Sequence, residues 1–273
     1  PEDPVPYSGP SSPLCFPRDV GFVGQNFGGQ GNGGHAYAEY RDYLRSLGLE
    51  FQLQMTHEPR AGVHWGEWTG PSEGTVDWFV TDHTMGLIDA FRSNDAPFFI
   101  WHNYWGPHQP YVAPSEYVET YRDTEIPPWP NFNWPSRSTP GPHQMKIAAG
   151  HDGAEWPLWE QMLRHYYAFT SFIDAQIDRM LAHLEQTGLL DNTVVVFAAD
   201  HGETLGSHGG LTDKGFTHFE EIQRIPLMIR FPDRKGAGTV RQDLVSLVDL
   251  FPTFCDMAGA DRRDLDLHGR SLL

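Results

Sequence analysis

Asp200, His201 and Glu203 close an apolar run, Val194-Val-Val-Phe-Ala-Ala-Asp200-His201-Gly202-Glu203. The β-branched start of that run reads as a buried strand. Its far end is a carboxylate, an imidazole and a glycine. Ligands in open α/β sheets sit just beyond the carboxyl ends of strands, so a polar cluster there is where chemistry is expected. The plain alternative is an Asp-Gly-type turn with a solvated histidine. A second apolar run, 97–104, ends the same way, in Gly106-Pro-His108-Gln-Pro-Tyr111. The loop after Glu203 carries Lys214-Gly215, with His208 and His218 close by. Taken alone, His108 reads as a satisfied loop histidine and Lys214 as a solvated lysine.

The elements that must position these residues alternate between the two periods. Tyr37, Tyr40, Leu44 and Leu47 mark a helix over 35–47, which Gly48 stops. A second amphipathic helix spans 77–91, and a third, the strongest, spans 156–184 and closes at Gly188. Strands are expected at 97–104, 193–199 and 226–231, and a last helix at 247–258. Residues 50–76 show no clear period and read as a loop-rich excursion. The proline-rich stretch 124–150 reads as a long irregular excursion or a flap. The glycine-rich run 28–34 is a loop by composition, and Val20-Gly-Phe-Val-Gly24 a short strand-like piece. Helices alternating with strands over this length give an α/β sandwich with a central, largely parallel or mixed sheet flanked by helices.

Bulk composition narrows the partners. The chain has 273 residues and a formal charge of −17, from 36 acidic and 19 basic residues. No Lys/Arg-rich patch exists to offset phosphate charge, so a nucleic-acid partner is not expected. The acidic excess is compatible with cation binding, though a solvated surface explains it equally. No apolar run reaches the length of a membrane span, and no basic-then-apolar leader opens the chain. Two cysteines, Cys15 and Cys255, make no disulfide framework and leave the compartment unread. Oligomeric state is equally unreadable.

In order along the chain, these pieces resemble the sulfatase family of the alkaline-phosphatase superfamily. The resemblance rests on Pro107-His108-Gln-Pro110-Tyr111, on Tyr166-Tyr-Ala through Asp178, and on Leu189-Leu-Asp-Asn192-Thr193 through Glu203. It continues through Lys214-Gly215, Glu220-Glu221, Arg224-Ile-Pro226, Val248-Asp249-Leu-Phe-Pro252-Thr253 and His268-Gly269-Arg270-Ser271. It implies a single alkaline-phosphatase-like domain over 1–273, incomplete at both ends, and metal-dependent hydrolysis of small-molecule or carbohydrate sulfate esters. Asp200 and His201 would be metal ligands. Calcium is the first expectation, with manganese or zinc admitted because His201 stands where many relatives carry Asn. Lys214 would contact the sulfuryl and leaving oxygens, and His108 would hydrogen-bond or protonate the leaving group. Asp174 and Asp178 would be structural, and Arg230 and Glu220 ion-pair or capping residues.

The amino-terminal side departs from the pattern. The family's paired aspartates, and the Cys-x-Pro-x-Arg whose cysteine becomes the formylglycine nucleophile, have no match. Cys15-Phe-Pro17-Arg18 is one residue short. Gln25 and Phe27 stand where the family's Gly-Lys-Trp-His-x-Gly turn has lysine and histidine. The expectation is therefore an internal piece of a longer hydrolase, poorly active until the upstream part is supplied. Two further readings stay open: a phosphonate monoester or phosphodiester hydrolase of the same superfamily, and a non-catalytic remnant. Trp65, Trp68, Trp129, Trp134 and Trp156 could form a sugar- or aryl-stacking wall or simply be packed.

Overall fold

A computed structural model describes residues 38–57, 64–94, 96–134, 154–214, 218–263 and 265–273. The strand-like piece at 20–24, Cys15, Gln25, Phe27 and most of the proline-rich stretch lie outside these residues. Strand β1 (Leu53–His57) runs antiparallel to β2 (His64–Trp68), with Leu53 opposite Trp68. Strand β3 (Tyr111–Pro114) pairs parallel to β2, with Trp65 opposite Tyr111. A parallel pair needs a long crossover, and helix α2 (Val76–Arg92) with the segment 97–110 supplies it. Strands β4 (Val195–Ala198) and β5 (Leu227–Arg230) form a separate antiparallel ladder. The ladders among the described residues thus make two small sheets, one of them mixed, rather than the one central sheet expected.

Burial explains why β3 is the hub. All four of its residues are buried, and Tyr111, Val112 and Ala113 each enter a different core cluster. A strand buried on both faces reads as a continuous apolar run. The longest helix packs against it: α4 (Trp156–Gln186, 31 residues) buries Trp159, Leu163, Phe169, Phe172, Ile173 and Gln176 along one side. Asp174 and Asp178 face solvent from the same helix. Its end is a left-handed glycine, Gly188 at φ +73°, with Gly188 N donating to Glu185 O and Leu189 N to Leu184 O. Helix α3 (Ser115–Tyr121) fills the space between β3 and α4.

Helix α1 (Ala38–Ser46) buries Tyr40 and Leu44, two of the residues its periodicity picks out. The Tyr40 hydroxyl donates to Gly74 O. Thr75 caps α2, its Oγ1 accepting from Trp78 N at 3.2 Å. Asp82 then ties three helices together. It accepts from the Tyr43 hydroxyl at 2.9 Å and from Arg179 of α4, whose guanidinium lies 3.6 Å over the Trp78 ring. Helix α5 (Glu220–Gln223) and helix α6 (Leu250–Ala258) follow later in the chain, with α6 entered through a capping box at Ser246 and Asp249. No described helix is long and apolar enough to cross a membrane.

Three further sequence expectations differ from the structure. Residues 50–76 hold the β1–β2 pair rather than only loop; Gly66 hid it, since its missing side chain breaks the alternation. That glycine is needed, because a Cβ there would lie 2.5 Å from Gln54 O of β1. Residues 97–104 are extended but carry no ladder among the described residues. Their even positions turn inward, Phe98 onto Phe91 and His102 onto Thr84, while Phe99 and Trp101 stay 49% and 55% exposed. The 193–199 strand is half-buried at most, with Phe197 and its ladder partner Met228 at 36% and 60% exposure. Hydrophobicity records that a strand is fit for burial; it does not supply the layer that covers it.

Candidate active site

The turn that follows segment 97–104 is seated on α4. A Cβ on Gly106 would meet the Phe169 ring at 2.5 Å, so only glycine lets the turn lie this close. His108 N donates to Trp105 O at 3.2 Å, and cis bonds precede Pro107 and Pro110. The His108 Nδ1 lies 2.6 Å from Gln109 O. A carbonyl only accepts, so Nδ1 carries the hydrogen and Nε2 the lone pair. That lone pair meets Lys214 Nζ at 3.2 Å, across 106 residues of sequence. The two residues singled out at the ends of separate segments are in contact.

Lys214 is held by its neighbour. Asp213, in the left-handed region at φ +62°, accepts from Lys214 N at 2.7 Å and pairs with Nζ at 3.2 Å. Burial pushes the Asp213 carboxyl up, but the Lys214 N–H and ammonium, with His108 beyond, hold it below the usual carboxylate range. Asp213 carries no signal in the sequence beyond being a carboxylate that adjoins the lysine.

Asp200 and His201 form a second pair. Asp200 Oδ1 accepts from His201 N at 2.9 Å, and its side chain is 84% exposed. His201 Nδ1 donates to Gly202 O at 2.7 Å, which leaves Nε2 with the lone pair, 3.6 Å from Asp200 Oδ2. An imidazole fixed through its other nitrogen is the usual disposition of a metal ligand. Among the described residues, no group of three or more His, Cys, Asp or Glu could hold a metal ion. The pair therefore fits part of a ligand set, since a hard cation takes roughly six to eight donors.

The turn that bears this pair is clamped from behind. A Cβ on Gly202 would fall 1.8 Å from Glu221 O, and Gly202 N donates to Ile222 O at 2.9 Å. Glu203 points inward. Burial, then Asp213, pushes its carboxyl up to about 7 against the backbone N–H groups of Thr204, Leu205 and Asp213 that favour its charged form. Thr204 Oγ1 donates to Asp213 O at 2.9 Å, so the 200–203 turn and the Lys214 loop are stitched together. Beyond it, Gly206 (φ +90°) lies against the Trp159 ring, and Trp129 Nε1 donates to Leu205 O at 2.7 Å.

The remaining candidates separate cleanly. His208 stacks on Phe219 at 3.7 Å and meets Glu221 at 2.9 Å, bracing the same clamp. His218 is exposed. Arg230 donates to Leu190 O and pairs with Asp191 at 3.5 Å, while Glu220 pairs with Arg224 at 3.3 Å along α5. Trp65 and Trp68 are core residues, and Trp129 and Trp156 pack edge to face at 5.7 Å.

Strand-end turns that meet above a long buried helix define an α/β protein with its polar site beyond the carboxyl ends of extended segments. The sulfatase family model matches residues 26–260, and the chain belongs to the sulfatase family. It is 26% identical over 225 residues to the iduronate 2-sulfatase of Mus musculus, covering 68% of this chain and 40% of that protein. Over 114 residues it is 42% identical to an N-acetylglucosamine-6-O-sulfatase of Bacteroides thetaiotaomicron, 42% of this chain and 20% of that one. Among solved structures, the phosphonate monoester hydrolase of Agrobacterium radiobacter shares the fold at TM-score 0.68 and 22% identity, over 86% of this chain and 49% of that one. A protein solved with its substrate D-glucosamine-2-N,6-O-disulfate does so at TM-score 0.55 and 21% identity, over 82% and 58%. The chain spans about two fifths or less of the length of these curated relatives.

Proposed function

We propose that this chain carries the lysine–histidine part of a site that hydrolyses sulfate esters, with sulfated carbohydrates as the substrate class. The observation that carries this reading is the Lys214 Nζ–His108 Nε2 contact at 3.2 Å in a member of the sulfatase family. Hydrolysis breaks the S–O bond to the alcohol, forms a new S–O bond to an oxygen nucleophile and delivers one proton to the leaving oxygen. Lys214 sets a cation beside the sulfuryl oxygens, where negative charge gathers as the bond breaks. His108 presents Nε2 towards the same point, and as the imidazolium it would give its proton to the leaving alkoxide. Asp213 keeps the ammonium on the His108 side of its loop. No nucleophile is assigned among the described residues.

Asp200 Oδ2 and His201 Nε2 would hold a divalent cation, calcium first, with manganese or zinc admitted by the imidazole. When bound, it would supply a Lewis acid to polarise the ester oxygens. The sugar assignment is supported by the iduronate and N-acetylglucosamine sulfatases among the relatives. A phosphonate monoester reading has the shared fold of the phosphonate hydrolases in its favour.

Binding to the purified chain, with calcium present, separates the two readings. 4-Nitrophenyl sulfate is expected to bind at least tenfold more tightly than 4-nitrophenyl phenylphosphonate, and Lys214→Ala is expected to remove most of that affinity. Equal binding of both esters, or an unchanged Kd in Lys214→Ala, would contradict the proposal.

A further inference from the structure

Trp105 stands at the edge of this site, and nothing in the reaction outlined above uses it. Its ring lies 4.7 Å from the His108 ring, tilted by 50°, yet the residue remains 40% exposed. Two other aromatics on the same outward side of the extended segment, Phe99 and Trp101, rest on Phe254 of α6 at 5.3 and 6.4 Å. The turn beyond Trp105 is immobilised: Trp105 O accepts from His108 N, and Gly106 is wedged against Phe169. An indole is therefore displayed, in fixed register, beside the imidazole that faces the leaving oxygen. Trp134 is more exposed, at 58%, but its ring contact is with His208 of the clamp.

We infer that Trp105 is a specificity-determining residue, the platform on which the sugar ring bearing the sulfate stacks. The inference rests on the sulfate-ester reading of Lys214 and His108. An ester anchored at Lys214 with its bridging oxygen towards His108 Nε2 brings its alcohol next to the imidazole, and the exposed indole has its ring centroid 4.7 Å from that ring. The apolar C–H face of a pyranose stacks on an indole, and such aromatic contacts raise affinity by about three- to tenfold. A sulfate ester without a ring gains nothing there.

The test titrates the purified chain, with calcium present, using D-glucosamine 6-sulfate and methyl sulfate followed by ligand-observed NMR. The wild-type chain is expected to bind the sugar sulfate about three- to tenfold more tightly. Trp105→Ala should bring that ratio close to one while leaving the methyl sulfate Kd unchanged, and Trp105→Phe should retain most of the preference. Trp134→Ala should keep the wild-type ratio. A folded Trp105→Ala or Trp105→Phe that shifts both Kd values equally, or a preference that disappears in Trp134→Ala instead, overturns the platform and leaves the reading of Lys214 intact. If neither sulfate binds the wild type, and Lys214→Ala changes nothing, the site reading falls and the inference falls with it.

Discussion

At the residue scale the candidate site is shaped by committed nitrogens. His108 and His201 each give Nδ1 to a backbone carbonyl within one residue, so each presents Nε2 outward. Neither commitment can be seen in sequence, because it depends on how a proline- or glycine-bearing turn folds back. Motif order singles out His108, Lys214, Asp200 and His201, and the structure brings His108 against Lys214 and Asp200 beside His201; Asp213 and Trp105 carry no such signal in the sequence. Asp213 is placed by a left-handed backbone, and Trp105 lies against the ring of a neighbour three residues on, neither of which follows a hydrophobic period. Gly202 is among the most sharply constrained of the described glycines, since any Cβ collides with a backbone oxygen of α5. Gly202→Ala is expected to cost roughly 2–3 kcal/mol, in line with overpacking elsewhere, read as a lower urea midpoint at unchanged m-value. A loss below about 0.5 kcal/mol would mean that the 200–203 turn can swing away from Glu221 without penalty.

At the element scale, α2 joins two groups whose charges folding suppresses in opposite senses. Asp77, in its first turn, is buried, and burial pushes its carboxyl up to about 7. His102, against Thr84 of the same helix, is pushed down to about 4 by burial. For Asp77 the folded state holds the proton more tightly than the unfolded chain, so stability falls as pH rises from about 4 to about 7. For His102 the sign reverses, and stability rises with pH from about 4 to about 6.5. Glu203, also pushed up to about 7, adds a second falling slope over the same interval, so the rising slope of His102 offsets only part of the fall and the wild-type curve declines between about pH 4.5 and 6.5. Asp77→Asn is expected to remove one of the two falling slopes, leaving Glu203 and His102 opposed, and so to flatten the curve between about pH 4.5 and 6.5 and to raise stability above pH 7. The gain there is a few kcal/mol, because each tenfold difference in proton affinity between the folded and unfolded states is worth about 1.4 kcal/mol. Chemical denaturation across pH reads this directly; a variant curve parallel to the wild type would contradict it. The longer helices were legible, because 3.6-residue periodicity survives in Tyr40–Leu44 and along α4; the short α3 and α5 span too few residues to show a period. Strands β1, β2 and β3 were not, since Gly66, Pro114 and fully buried β3 erase the alternation that marks a half-buried strand.

At the scale of the whole molecule, family membership covers most of the chain, while the chain covers about two fifths or less of its curated relatives. The covered part has a well-packed half, the three clusters that meet at β3, and a half with open apolar faces on β4, β5 and α6. The site lies where the two halves join: His108 arrives from the segment leading into β3, and Lys214 from the loop after β4. Everything proposed for the site rests on contact between these two residues, and the imidazole reports it. In the chain labelled with ¹⁵N-histidine, the His108 Nε2 resonance, assigned with His108→Gln, is followed while methyl sulfate is added. A saturable shift at His108 that Lys214→Ala abolishes is the predicted result. A His108 signal that stays still while methyl sulfate binds elsewhere would contradict a shared lysine–histidine site.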